Sequence, residues 1–275
     1  MDRMTAEIVS YYAERYDEAG RLDRRPQARL ERIRTLELLE ELLPPAPAAI
    51  LDVGGGPGAY ARPLAAAGYR VRLVDVVPAH VEQARAGDPP VDAVVGDARD
   101  LPEPDGGYDA TLLLGPLYHL LDRQERVRAL REAVRVTRPG GRVLAAAISR
   151  FAGPLDMATK AELTDRVLDE AAKLITSGEN DPSIGFTHAY FHRVPELVSE
   201  CREAGLAEVT VHGVEGPLWT AAEAAAGGPD ADAIFEGALK LARLYSAEPE
   251  LIPMSAHLLV AGSAPQSRSS LVDDL

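Results

Sequence analysis

The chain has 275 residues, 29 of them basic and 43 acidic, so its formal net charge is −14 at pH 7. A chain of this length buries a sizeable core without cross-links, and it suits one large domain or one domain with an insertion. So acidic a protein repels phosphate backbones, and no nucleic-acid partner is expected. The single cysteine, Cys201, excludes an internal disulfide and a multi-cysteine metal site.

No membrane-spanning or secretion segment is expected. The longest apolar runs fall far short of the ~20 residues that span a bilayer. The opening segment MDRMTAEIVSYY also has no apolar signal core. These features predict a soluble, cytoplasmic protein without a membrane partner.

Helix and strand patterns alternate through the first half of the chain. Residues 1–43 carry apolar side chains at helical spacing, and Pro44 and Pro45 end that pattern. Short apolar runs typical of buried strands follow at 49–53, 71–75, 91–95, 108–114 and 142–148. Strands that alternate with helices predict βαβ units and a mostly parallel sheet.

Residues 150–195 break this rhythm. They predict one helix over about 155–175 and then a loop bearing glycine and aromatic residues. Further helices are predicted at 195–204 and 231–245, and two more strands at 208–214 and 257–261.

The predicted fold class is therefore α/β, with a doubly wound, mostly parallel seven-stranded sheet and helices on both faces. The predicted organisation is a helical N-terminal cap (1–43), a core (44–149), a lid insertion after strand five (150–206), C-terminal elements that complete the core (207–262) and a disordered polar tail (263–275).

The strongest motif is LDVGGGPG at 51–58, between the first strand and a helix. Glycine there permits a tight turn and a close approach of a ligand to the backbone. The segment from Gly54 to Ala59 also reads G-x-G-x-x-A, and with Asp75 it matches an NAD-binding fingerprint. Asp52, two residues before the first glycine, argues against NAD. A carboxylate at this position attracts an ammonium group and repels a pyrophosphate. S-adenosylmethionine carries an ammonium and a sulfonium but no phosphate.

Four motifs in order resemble the class I S-adenosylmethionine-dependent methyltransferases. They are LDVGGGPG, Asp75 at the end of strand two, GDARDLP at 96–102 and RPGGRVL at 138–144. The resemblance runs from about Ile50 to Ile148. The segments LLLGPLYHL and AYFHRVPEL are similar to a bacterial small-molecule branch of that family.

The resemblance implies S-adenosyl-L-methionine as the cofactor and assigns residues to it. Asp75 would bind the ribose hydroxyls, and Asp97 with the Ala98 backbone would bind adenine. Arg34 would meet the carboxylate, and Tyr11 or Tyr12 would cover the methionine end. The cofactor-binding set is Tyr11, Arg34, Asp52, Gly54, Gly56, Gly58, Asp75, Val76, Asp97, Ala98, Leu114 and His119.

Candidate acceptor residues follow strands four and five. His119 lies after strand four, at the strand ends where doubly wound sheets bind ligands, and is either a general base or a cofactor contact. The cluster at 186–192 is either an aromatic wall or packing, and two histidines four apart without an acidic third ligand do not predict a metal. The catalytic candidates are His119, His188 and His192, and the substrate-binding candidates are Tyr118, Phe186, Tyr190, Phe191 and Trp219.

The predicted function is methyl transfer from S-adenosylmethionine to oxygen, nitrogen or carbon of a small, aromatic or heteroaromatic natural-product acceptor of secondary metabolism. One alternative is a cyclase that binds the same cofactor on the same fold. An NAD(P)-dependent oxidoreductase is a weaker alternative, because none of the three lysines follows a tyrosine at YxxxK spacing. The sequence does not indicate the oligomeric state.

Overall fold

The computed structural model of the chain describes residues 9–12, 20–182 and 186–266. The predicted tail lies outside the described residues from position 267 onward. No helix within the described ranges has the length and apolar character needed to cross a membrane.

The α-helices are α1 (Pro26–Leu42), α2 (Ala61–Ala66), α3 (Pro78–Ala86), α4 (Arg123–Val136), α5 (Ala152–Thr159), α6 (Asp165–Ser177), α7 (Val194–Glu203), α8 (Trp219–Ala224) and α9 (Ala231–Leu244). The strands are β1 (Ala49–Val53), β2 (Arg70–Asp75), β3 (Asp92–Val95), β4 (Tyr108–Leu113), β5 (Thr137–Ser149), β6 (Glu179–Asn180), β7 (Ala189–His192), β8 (Ala207–Gly213) and β9 (His257–Ser263).

The central sheet has the strand order β3-β2-β1-β4-β5, with all five strands parallel. Strand β9 joins β5 in antiparallel pairing, and β8 joins β9 in the same way. These seven strands confirm the predicted fold class. The strand order reverses between β1 and β4, and this is where an open α/β sheet forms its ligand crevice.

The buried positions of the parallel strands are mostly apolar because helices cover both faces of the sheet. Ile50 of β1 packs with Leu38 and Leu39 of α1, whereas its neighbour Leu51 packs in the cluster that contains Val127 of α4. Successive side chains of a strand point to opposite faces, so this short segment contributes to two cores.

The insertion differs in two respects from its prediction. The single helix predicted over about 155–175 is two helices, α5 and α6, separated by a turn in which Ala161 has a φ of 57°. Thr164 begins the second helix by accepting a hydrogen bond from the Val167 backbone. The segment predicted as a loop also contains β6 and β7, and β7 runs parallel to the last two residues of β5. A role for the insertion as a lid stays a prediction.

Candidate active site

The glycine loop turns the chain sharply after β1. Gly54 and Gly56 have φ angles of 69° and 58°, in the left-handed region that favours glycine. The Gly54 backbone donates to the Val74 carbonyl oxygen at 2.7 Å, and a Cβ at Gly54 would lie 2.6 Å from the Pro116 side chain. The loop therefore needs glycine both for its conformation and for space.

Asp52 is fully buried at the end of β1 and faces the cavity beside the glycine loop. Neither of its carboxylate oxygens accepts a hydrogen bond from a residue that the structure describes. Burial, together with the nearby charge of Asp75, raises the pKa of Asp52 to about 7. An unpaired buried carboxylate is costly unless a cation joins it, so this side of the cavity suits a positively charged group.

Asp75, at the end of β2, is also buried but has backbone partners. One oxygen accepts from the Gly56 backbone and the other from the Val77 backbone, both at 2.8 Å. Each carboxylate oxygen has a second lone pair, so the side chain can still accept from two hydroxyls of a diol. Asp75 thus shapes the loop and retains acceptor capacity toward a ligand.

The cavity beside the loop, here the glycine-loop cavity, contains most of the predicted cofactor-binding residues. After β3 it is bordered by Asp97, whose carboxylate is paired with the Arg99 guanidinium at 2.6 Å. The predicted residues that line it are Asp52, Gly54, Gly56, Asp75, Val76, Asp97, Ala98, Leu114 and His119.

The structure does not bring three predicted cofactor-binding residues to this cavity. Gly58 does not line the cavity; a Cβ placed on it would meet Arg62 and Ala84, and its φ of 92° serves the turn into α2. Arg34 is buried in α1, is paired with Glu37, and lines neither this cavity nor the one beside it. Tyr11 lines a neighbouring cavity instead.

Arg21 and Tyr12 are among the lining residues of this cavity that lie outside the predicted cofactor-binding set. Arg21, just before α1, borders it and forms two hydrogen bonds of 2.6 and 2.7 Å to Glu31. Tyr12 lies 2.9 Å from the His119 ring through its hydroxyl. Tyr12 is the alternative to Tyr11 that the family resemblance gives, whereas no motif in the sequence singles out Arg21.

His119 is buried in a 3-10 turn after β4. Burial lowers its pKa to about 4, although the charge of Asp75 acts in the opposite direction. The ring is therefore neutral at pH 7 and is a weak base. These properties favour a hydrogen-bonding role beside the cavity over proton abstraction.

A second cavity of about 400 Å³ adjoins the first. The two share Tyr12, Arg21 and Tyr118 as lining residues. This space, here the aromatic cavity, is lined by four of the predicted substrate-binding residues, Tyr118, Phe186, Phe191 and Trp219.

Comparison with known proteins identifies the family. The family described as "Methyltransferase domain" matches residues 50–141. A Clavibacter sepedonicus protein named demethylmenaquinone methyltransferase is 32% identical over 177 residues, which cover 60% of this chain and 68% of that protein. The chain belongs to the class I S-adenosylmethionine-dependent methyltransferases. This membership confirms S-adenosylmethionine as the cofactor. The unpaired carboxylate of Asp52 fits the ammonium group of S-adenosylmethionine.

Other similarities agree with this methyltransferase family. An uncharacterized methyltransferase of Mycobacterium tuberculosis is 36% identical over 107 residues, which are 39% of this chain and only 42% of that relative. The chain thus matches less than half the length of this relative. A Thermotoga maritima structure, described as a methyltransferase and possible histamine N-methyltransferase, has a TM-score of 0.60 and 19% identity. It covers 94% of this chain and 99% of its own, and it shows a shared fold.

In this chain, Tyr190 and His192 lie on the face of β7 that points away from the aromatic cavity. Phe191 faces the cavity, and because side chains alternate along a strand, its two neighbours point away from it. The Arg126 guanidinium lies 3.6 Å from the Tyr190 ring centroid, and Glu200 lies 3.2 Å from the His192 ring. These two residues therefore belong to a buried charged network.

The remaining catalytic candidate, His188, is exposed just before β7 and lines neither cavity. Of the three predicted catalytic histidines, only His119 lines one of these two cavities.

The structure also brings together three residues that the sequence did not single out. Glu31, Glu215 and His257 place one side-chain atom each within 4.8 Å of one another, a spacing that metal ligands can have. Arg21 already donates to both oxygens of Glu31, and Gln27 donates to Glu215. The group is thus an ion-paired cluster. Of its three members, His257 lines the aromatic cavity.

Proposed function

We propose that this protein transfers the methyl group of S-adenosylmethionine to a small aromatic or heteroaromatic acceptor held in the aromatic cavity. The observation that carries the proposal is Asp52, whose buried, unpaired carboxylate faces the glycine-loop cavity. Because the two cavities share Tyr12 and Tyr118, a methyl donor in one would adjoin an acceptor in the other.

The proposal gives the loop residues distinct roles toward the cofactor. Asp52 pairs with the ammonium group, and Asp75 accepts from the ribose hydroxyls. Asp97 and the Ala98 backbone contact the adenine. Arg21 supplies the positive charge at the cavity wall that the family resemblance assigns to Arg34. A pyrophosphate would meet two buried carboxylates here, so the same cavity disfavours NAD.

The proposed acceptor class follows from the second cavity. The rings of Phe186, Phe191 and Trp219 offer flat apolar surface, and the Trp219 indole is fixed by a 3.0 Å hydrogen bond to the Met254 carbonyl. Rigid aromatic walls favour stacking of a flat ring. The relative from Clavibacter sepedonicus is named for demethylmenaquinone, which supports an acceptor of this class.

The chain's part in the reaction is chiefly alignment. Bound S-adenosylmethionine supplies a methyl group already activated on a sulfonium. Orientation of two reactants contributes roughly 7–11 kcal/mol in favourable cases. Helix α5 lines the aromatic cavity, where it limits access of water. A base is needed only when the acceptor must lose a proton.

Two measurements test the proposal. Calorimetry should show micromolar binding of S-adenosylhomocysteine and little response to NAD. Acceptor-dependent release of S-adenosylhomocysteine should then be found within a panel of phenols, quinols and nitrogen heteroaromatics. Tight NAD binding with no response to S-adenosylhomocysteine would overturn the proposal. Cofactor binding with an unconsumed cofactor and a rearranged substrate would instead support the cyclase alternative.

A further inference from the structure

We propose that His257, oriented by Glu215, is the general base that takes the proton from a hydroxyl group of the acceptor in the aromatic cavity. This inference rests on the proposed function and narrows its acceptor to a phenol or enol that is methylated on oxygen. The hydroxyl proton passes to Nε2 of His257, and an oxygen lone pair forms the bond to the methyl carbon. The carbon–sulfur bond breaks, and its electron pair leaves with S-adenosylhomocysteine.

The register of the sheet places His257 at the cavity. His257 begins β9 directly opposite Ile148 of β5, and Ile148 also pairs with Phe191 of β7 on its other side. Side chains of directly paired residues share one face of a sheet, and all three line the aromatic cavity. Ile148 is near the carboxyl end of β5, at the edge where this fold binds ligands. His257 therefore lies beside an aromatic wall on the ligand side of the sheet.

Glu215 sets the tautomer of the His257 ring. Its Oε1 lies 2.5 Å from Nδ1, so Nδ1 carries a proton toward the carboxylate, and in the neutral form of the ring Nε2 holds the free lone pair. Because Nδ1 is engaged, Nε2 is the ring nitrogen that remains for a molecule in the cavity. An imidazole held by a carboxylate in this way is an established arrangement for a general base.

Glu215 is itself fixed by its surroundings. The side chain is fully buried, and its Oε2 accepts from the Ser255 hydroxyl and the His257 backbone, both at 2.8 Å. The Gln27 amide donates to Oε1 at 3.0 Å. The carboxylate thus cannot turn away from the ring without losing several hydrogen bonds.

The charges around His257 adjust its basicity. Glu31 of α1 lies 3.8 Å from Nδ1, and Arg21, before α1, is paired with Glu31. Burial and Arg21 act against a charged ring, but Glu31 and Glu215 outweigh them and raise the pKa of His257 to about 9. A phenol such as tyrosine has a pKa of about 10, so proton transfer to this imidazole is nearly balanced in free energy.

No other histidine that lines either cavity in the described part of the chain combines a place at the aromatic cavity with a carboxylate partner and a raised pKa. Burial lowers the pKa of His119 to about 4, which makes it too weak a base for a phenol. His80 borders the glycine-loop cavity beside Asp75 and does not line the aromatic cavity. His257 is the histidine that the described part of the chain presents to the proposed acceptor.

A binding experiment tests the base without turnover. The probe is 4-nitrophenol, whose ionised form is coloured, added to protein saturated with S-adenosylhomocysteine. In the wild type near pH 7, the proton that His257 holds should stabilise the ionised probe, so the bound probe should ionise roughly tenfold more readily than the free probe, the scale of one charge-assisted hydrogen bond. His257→Gln should abolish this shift, and Glu215→Gln should reduce it.

His212→Gln is the matched control, because His212 lies in β8 and lines neither cavity. Each variant is accepted only if it binds S-adenosylhomocysteine as the wild type does, and His257→Asn replaces His257→Gln if the latter fails to fold. An unshifted probe in the wild type, or an equal shift in the His257 variants, would overturn the inference. A shift abolished by a chelator and restored by a divalent metal would also overturn it in favour of metal binding by Glu31, Glu215 and His257.

Turnover gives a second and separate readout. With an acceptor identified in the panel, wild-type kcat should rise with pH and level off near 9. His257→Gln should lower kcat by roughly 10²–10⁴, the usual contribution of a general base. If the wild type releases no S-adenosylhomocysteine with any acceptor, the proposed function fails. If His257→Gln turns over normally, only the assignment of the base fails.

Discussion

Asp52 and Asp75 face one cavity from neighbouring strands, yet only Asp75 has hydrogen-bond partners among the described residues. Asp75 receives two backbone N–H groups, whereas both oxygens of Asp52 are buried and unpaired. The charge of Asp75 adds to burial in raising the pKa of Asp52. Asp52 therefore costs stability in the protein without cofactor, and this cost makes it receptive to a cation.

Substitution of Asp52 by Asn should stabilise the cofactor-free protein and weaken its binding of S-adenosylhomocysteine. The pKa of Asp52 is raised above its value of 3.8 in the unfolded chain, so its favourable contribution is full below pH 3.8 and is lost as the pH rises through about 7. Asp52→Asn should thus raise the melting temperature of the cofactor-free protein at pH 8, by roughly 2–4 °C for each kcal/mol recovered. The same variant should bind S-adenosylhomocysteine roughly 10- to 150-fold more weakly, because it lacks the charge.

The control for this substitution is Asp92→Asn, which removes an exposed carboxylate from β3. It should change neither the melting temperature beyond the range of surface substitutions nor the affinity for S-adenosylhomocysteine. A variant of Asp52 that melts like the wild type at pH 8 and binds S-adenosylhomocysteine with unchanged affinity would refute the assigned role.

Substitution of Asp75 should destabilise the cofactor-free protein, whereas substitution of Asp52 should stabilise it. Asp75→Ala removes the acceptor for the Gly56 and Val77 backbones, so the cofactor-free protein should lose stability. Affinity for S-adenosylhomocysteine should fall roughly 10- to 150-fold, since the ribose hydroxyls also lose a charged acceptor. Calorimetry on the folded variant measures this loss, and adenosine as a competitor should lose affinity in parallel. Equal adenosine binding by the variant and the wild type would exclude a ribose contact.

Much of the fold and of the glycine-loop cavity could be predicted from short segments. Each strand of the parallel sheet contains a short apolar segment, and the glycine loop with Asp52 depends on residues within one strand and one turn. Asp75 and Asp97 each follow a strand, and parallel strands bring their carboxyl ends to one edge. In such cases local pattern and sheet topology together determine where a side chain lies.

The aromatic cavity could not be predicted in this way. The sequence presents 186–192 as one aromatic cluster, but residues 189–192 form a strand, and a register change by one residue reverses which of them face the cavity. His257, Glu215 and Glu31 come from three separate segments with no motif between them. Arg21 and Arg34 are similar residues on the same N-terminal segment, and only packing shows which one reaches the cavity.

The charged network behind β7 should be a stability element. Glu200 is buried between Arg126 and His192, and although burial opposes its ionisation, bonds from these two residues lower its pKa. Glu200→Gln leaves the Arg126 charge buried without its partner, which should cost about 3–5 kcal/mol in the free energy of unfolding. Urea unfolding at pH 7 measures the loss, and Glu203→Gln, at an exposed site on the same helix, should cost far less.

The same network predicts sensitivity to acid. A carboxylate with a lowered pKa contributes stability that is present above its unfolded pKa of 4.5 and is lost as the pH falls below it. Wild-type stability should therefore decline toward low pH more steeply than that of Glu200→Gln, and the difference between the two should shrink. A constant difference from pH 7 to pH 3 would contradict this account of Glu200.

Phe191 and Tyr190 are adjacent residues of β7 whose substitution should have different effects. Phe191 lines the aromatic cavity, so Phe191→Ala should raise KM for the acceptor at least tenfold, with S-adenosylhomocysteine affinity within about threefold, or roughly 0.6 kcal/mol. Tyr190→Ala removes the ring beneath the Arg126 guanidinium and should lower the free energy of unfolding while leaving acceptor KM nearly unchanged. Steady-state kinetics and urea unfolding of both variants distinguish the two faces of the strand. If Tyr190→Ala instead raised KM and Phe191→Ala did not, the register of β7 relative to β5 would have to shift by one residue, and the cavity would have a different wall.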